Sequence, residues 1–158
     1  MGELRPHVAV GEPGSGSREC GSSVRIRLLG GFSVAVAGTP VSDPWRLRKA
    51  RTLVKLLALA PGHRQPRDQV TEVLWPGASR RAGINNFHQV VHAVRRVIGP
   101  DAIALDDTVV RLNSPDVVTV DIDDFERAAD DRTADLDVTL RAARLRTGQL
   151  LPEDLYAD

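Results

Sequence analysis

The chain has 158 residues, enough for one domain plus a fragment of a second, and its 42% apolar residues supply a real core. Aromatics make up only 4%, so that core must be aliphatic, and base stacking on single-stranded nucleic acid is disfavoured for want of aromatic platforms. The formal net charge is zero, yet residues 24–99 hold 13 Lys/Arg against three acids while residues 100–158 hold six Arg against 15 acids. A basic half suits a polyanion, and the acidic half must serve another purpose.

Residues 1–23, rich in Gly, Ser and Pro, read as a disordered leader. The segment GEPGSGS lacks the Gly-Lys-Ser/Thr ending of a phosphate-binding loop. No basic-then-apolar signal pattern opens the chain, and no apolar run approaches the ~20 residues of a membrane span. Cys20 is alone, which rules out an intramolecular disulfide and fits a reducing cytoplasm.

Val24, Ile26 and Leu28 alternate with Arg25 and Arg27, the pattern of a half-buried strand. Gly30-Gly31 turns the chain into a second strand marked by Phe32, Val34 and Val36, and Gly38 turns it again into Thr39–Val41. A helix is expected from about Trp45 to Ala60, with Leu47, Ala50, Leu53, Val54, Leu57 and Ala58 inward and Arg46, Arg48, Lys49, Arg51 and Lys55 outward. Pro61-Gly62 stops it. A short helix follows Pro66, with Val70, Val73 and Leu74 inward, and ends at Trp75-Pro76. Both tryptophans are expected to serve packing.

The stretch Asn85–Ile98, NNFHQVVHAVRRVI, carries the strongest functional signal. At 100° per residue, Asn85, Gln89, His92 and Arg96 share one face, with His88 and Arg95 at its edge. Phe87, Val90, Val91, Val94, Val97 and Ile98 fall opposite. A solvated helix face ordinarily mixes Glu with Lys; this one carries amides, imidazoles and guanidiniums and no carboxylate. Asn, Gln and Arg bond base edges bidentately in the major groove. Ser79 suits the cap of this helix, Arg80 and Arg81 sit at its opening, and Gly83 is expected to fray its first turn. Gly99-Pro100 ends it. Ile103–Leu105 and Val109–Leu112 then form a hairpin across Asp106-Asp107-Thr108, with Val117–Val120 as a third strand. Helix, helix, recognition helix and hairpin is the order of a winged helix-turn-helix.

Other constellations are weaker. His88 and His92 have the spacing of zinc ligands but gain no local Cys or acid. Asp121, Asp123, Asp124 and Glu126 lack the spacing of a calcium loop, and acids at a helix start are accounted for by its dipole. No nucleophile–base or paired-carboxylate arrangement stands out, so no enzyme, metal or cofactor is expected.

The N-terminal strands, RLRKARTLVKLLALAPGH, LWP and NNFHQVVHAVRRVIG together resemble the OmpR-type DNA-binding domain of the Streptomyces antibiotic regulatory protein family, nearest its large members that add an ATPase. VDIDDFERA and GQLLPEDLYAD resemble the start of that family's bacterial transcriptional activation domain. The resemblance implies an α+β, mainly α, architecture. It has a disordered leader at 1–23, a winged-helix domain at 24–120 and the opening of a tetratricopeptide-like helical domain at 121–158, with helices marked by Phe125 and Ala128-Ala129 and by Leu136, Leu140, Ala143 and Leu145. It further implies a cytoplasmic transcriptional activator that binds double-stranded DNA at direct repeats as a side-by-side pair and recruits RNA polymerase. Base reading passes to Asn85, His88, Gln89, His92 and Arg96, the wing role to the 103–112 hairpin, and polymerase contact to the loop from Pro76 to Arg81. Arg48, Lys49, Arg80, Arg81, Arg95 and Arg111 are the expected phosphate ligands. Two departures from the family pattern are Gly83 and the Val109-Val110 pair, where Gly-Tyr is common. A protein-interaction module, or a fragment of a larger regulatory ATPase with DNA binding secondary, remains the alternative.

Overall fold

The computed structural model describes residues 24–42, 45, 47–130 and 150–151. The 1–23 leader and the helix expected around Leu136–Leu145 lie outside them. The fold is mixed α/β. Strands β1 (Val24–Arg27), β2 (Ser33–Val36) and β3 (Thr39–Pro40) lead into helices α1 (Arg48–Leu59), α2 (Arg67–Leu74) and α3 (Arg80–Ile98). A short strand, β4 (Arg64–Pro66), precedes α2. After α3 come β5 (Ile103–Leu105), β6 (Val109–Leu112), β7 (Val118–Val120) and α4 (Asp121–Asp130).

The β1–β3 meander follows from local chemistry. Ala37 and Gly38 both hold positive φ, 48° and 78°, as a two-residue hairpin between Val36 and Thr39 requires. β1 and the residue after it bury Val24, Ile26 and Leu28 and expose Arg25 and Arg27, matching the alternation. The sheet order is β3-β2-β1-β7. Here the structure corrects one expectation: β7 does not extend the β5–β6 hairpin but lies parallel to β1, pairing Val24 with Val118 and Ile26 with Val120. The third strand of the hairpin sheet is instead β4, in the order β4-β6-β5.

Where the β1–β7 ladder ends, Asp121 continues it with its side chain. Its carboxylate accepts from Leu28 N and Leu29 N at 2.9 and 3.0 Å, joining α4 to the N-terminal sheet. Leu150 bridges Leu29, and Leu151 N donates to Leu28 O at 3.0 Å, with Leu151 itself buried. The segment after β7 is thus tied into the same body. The end of α1 is bound to α4 by His63, whose Nε2 lies 2.8 Å from an Asp123 carboxylate oxygen.

The core sits between the helices and the inner faces of both sheets. Leu53, Val54 and Leu57 of α1 meet Phe87, Val91, Val94 and Ile98 of α3, with Val110 and Leu112 of β6 closing one side. All are aliphatic except Phe87, as the composition demanded. α1 starts at Arg48, later than expected, and its outward side is smaller than the sequence suggests. Leu47 is exposed, while Lys55 is 6% exposed and lays its ammonium 5.2 Å from the Phe32 ring centre, beside the Arg51 guanidinium at 5.1 Å. The aromatic face holds the two cations where simple periodicity assigns them to water. Val73, expected inward, is 61% exposed.

A candidate nucleic-acid interface

α3 runs for 19 residues without an acid, and it carries four arginines and two histidines. Ser79 caps it: its Oγ accepts from Ala82 N at 3.3 Å. The expected fraying at Gly83 is not found. Gly83 is buried within the regular helix, and a Cβ there would lie 2.6 Å from Thr71 Cγ2 of α2. The glycine is what lets α2 and α3 approach, and that approach fixes how α3 projects.

Phe87, Val90, Val91, Val94 and Ile98 are buried, so the helix is anchored along its apolar face. Asn85, His88, Gln89, His92 and Arg96 are all exposed, and they form the opposite face. Asn86 is half-buried at its margin. Together with Gln89, Val90, Trp75, Arg48 and Lys49 it lines a groove that runs from this face toward the first turn of α1. Among the described residues His88 and His92 gain no third His, Cys, Asp or Glu with which to hold a metal ion.

The six expected phosphate ligands divide into two groups. Arg80, Arg81, Arg48 and Arg111 are exposed. Two arginines in the first turn of α3 stand where a helix dipole disfavours cations, a cost that an anion bound at the helix N-terminus would offset. Arg95 and Lys49 are engaged within the fold. Arg95 is half-buried, its Nη2 donates to Ile103 O at 3.0 Å, and its Nε is buried without a partner, so it fastens α3 to β5. The Lys49 ammonium donates to Leu74 O at the end of α2 and lies 5.3 Å from the Trp75 ring centre. Periodicity put Arg95 at the edge of the α3 polar face and Lys49 on the outer side of α1; only the positions of β5 and of the α2 terminus reveal their bonds.

Two basic residues escaped the sequence reading. Arg64 on β4 is exposed and stands directly across from Arg111 on β6. Arg67 opens α2, donates from Nη1 to Asp107 O at 3.1 Å and places its guanidinium 5.1 Å from the Phe87 ring centre. Its backbone N also donates to Thr108 O at 2.8 Å, which ties the hairpin turn to α2. The signal for Arg64 would have been the strand itself, but three residues ending in proline offer no alternation to read.

Comparison with known proteins bears on the fold. EmbR of Mycobacterium tuberculosis, solved in complex with a low-affinity phosphopeptide, is similar to this chain with a TM-score of 0.61 and 24% identity. The match covers 84% of this chain and 38% of EmbR, so the chain corresponds to well under half of that protein's length. No family model and no curated protein matches the sequence. At that identity the likeness speaks for a shared fold. Among the described residues no helix is long and apolar enough to cross a membrane.

Proposed function

We propose that the protein is a sequence-specific double-stranded DNA-binding module of a transcriptional activator, built as an OmpR-type winged helix-turn-helix. α3 is the recognition helix and the β5–β6 hairpin is the wing. The observation that carries this reading is the acid-free, exposed face of α3. Three of its five side chains, Asn85, Gln89 and Arg96, are of the types that bond base edges bidentately, and its opposite face is locked into the core. The fold shared with EmbR supports the same reading. Its role is binding and not catalysis, and it acts in the cytoplasm.

In this reading Asn85 and Gln89, nearest the N-terminus of α3, read bases, and His88, His92 and Arg96 extend the contact along the groove. Arg80, Arg81, Arg48 and Arg111 set the register on phosphates, which fix position without reading sequence. The loop ahead of α3, from Pro76 to its cap Ser79, meets RNA polymerase. Two copies bind direct repeats with centres about 10–11 base pairs apart, so that both helices enter the same side of the duplex.

Selection of bound duplexes from a random pool tests this directly. A recurring motif in tandem copies is expected, and inserting half a helical turn between the copies should abolish joint binding. Recovery of unenriched sequence would refute sequence-specific reading, and equal affinity after the insertion would refute the tandem arrangement.

A further inference from the structure

The wing of a winged helix is expected to meet DNA through its tip, but in this protein the tip carries the wrong charge. Asp106 and Asp107 are both exposed there. The turn is also closed on itself: Asp106 N donates to Val109 O at 2.9 Å and Asp107 N to Asp106 Oδ1 at 2.8 Å, while Arg67 holds the Asp107 and Thr108 carbonyls against α2. Two carboxylates on a fixed turn are repelled by the negative potential of a DNA groove.

The outer face of the same sheet is basic. The register sets Ala104, Arg111 and Arg64 in one line across β5, β6 and β4. Their neighbours Ile103, Val110 and Leu112 turn inward to the core. Among the described residues, the Arg64 and Arg111 side chains have no acid or other partner. Like charges directly opposite one another in a ladder destabilise it, so the pair carries a cost that a bound anion would relieve. The row begins on the edge strand next to α3, because Arg95 fastens that helix to the Ile103 carbonyl of β5.

We propose that the β4–β6–β5 sheet meets the phosphates of one duplex strand with this outer row, Arg111 and Arg64, and not with the Asp106–Thr108 tip. The inference rests on the duplex-binding reading above and adds to it a contact surface and a residue, Arg64. Adjacent strands are about 4.8 Å apart, and a single DNA strand carries a phosphate every ~3.4 Å of rise. Neighbouring phosphates also step around the helix and so lie farther apart than this rise, a gap that two long arginine side chains one strand spacing apart can span by splaying.

The test is the salt dependence of duplex binding by the full chain and its variants Arg64→Ala, Arg111→Ala, Arg64→Lys and Asp106→Asn/Asp107→Asn, with a melting curve for each. Arg64→Ala and Arg111→Ala should each weaken binding to all sequences alike and lower the slope of log affinity against log salt by about 0.9. Arg64→Lys should restore the slope, and the two alanine variants should melt no earlier than the parent, since repulsion has been removed. The double asparagine variant should bind within about twofold of the parent, because only long-range, salt-screened repulsion changes. An unchanged slope in Arg64→Ala, whatever Arg111→Ala does, or a tenfold gain from the asparagines, would overturn the inference while leaving duplex binding intact. A parent that binds no duplex at all would overturn the underlying reading and this inference with it.

Discussion

Gly83→Ala separates packing from helix propensity. In an isolated helix the change stabilises by about 1 kcal/mol. Here the new methyl would meet Thr71 Cγ2 at 2.6 Å, well inside van der Waals contact. Thr71 is not free to yield: its Oγ1 donates to Arg67 O at 2.8 Å within α2, and rotating away would sacrifice a bond worth about 1 kcal/mol. Overpacking of this kind costs roughly 1–3 kcal/mol. The two effects leave Gly83→Ala about 1 kcal/mol less stable than the parent. Thr71→Ser removes the clashing methyl and keeps the hydroxyl, so in the double variant the methyl introduced on α3 occupies the vacated space. That variant should match or exceed the parent, with a coupling of about 1–3 kcal/mol in the double-mutant cycle. Urea unfolding at constant m-value is the assay. A Gly83→Ala protein as stable as the parent, additive with Thr71→Ser, would refute the claim that this glycine sets the α2–α3 approach.

Three further outcomes are expected. Val94→Asp places a carboxylate at a position with 0% exposure, so it should cost several kcal/mol and abolish binding only by unfolding the domain, visible as loss of the cooperative melt. Ser79→Ala removes the α3 cap; the exposed 3.3 Å bond puts the loss at the low end of the capping range, about 0.5–1 kcal/mol by denaturant titration. Asp121→Ala strips two backbone donors of a charged acceptor, so it should destabilise by about 2 kcal/mol and speed hydrogen exchange at the Leu28 and Leu29 amides, and unchanged exchange there would contradict the junction described.

What was legible in the sequence was what depends on neighbours a few residues apart. The alternation of Val24, Ile26 and Leu28, the turn glycine Gly38 before Thr39, the Ser79 cap and the apolar stripe of α3 each state their environment locally. What was hidden depends on distant partners. Nothing near Val118–Val120 says that the strand pairs in parallel with β1, since that contact spans most of the chain. Gly83 read as a weakness because propensity sees one helix, whereas its value lies in the second helix that crosses it. Lys55 and Arg51 read as outward cations, though Phe32 on another element draws them in. Of the candidate interface, the five exposed residues of α3 follow from periodicity alone. The engagement of Arg95 and Lys49, and the pairing of Arg64 with Arg111, required strand register and helix ends that no window of sequence contains.

The central claim is that the exposed face of α3 reads bases, and the most direct measurement is the specificity profile of Gln89→Ala. Binding isotherms are collected for the parent and the variant on the selected duplex and on every single-base-pair substitution of it, beside a melting curve for each protein. The account predicts that Gln89→Ala loses discrimination at one base position, by roughly 1–3 kcal/mol, and keeps it elsewhere. Its melting should stay within about 0.5 kcal/mol of the parent, because Gln89 is exposed. A variant with the parent's full profile, or one whose lost binding tracks an early melt, would contradict it.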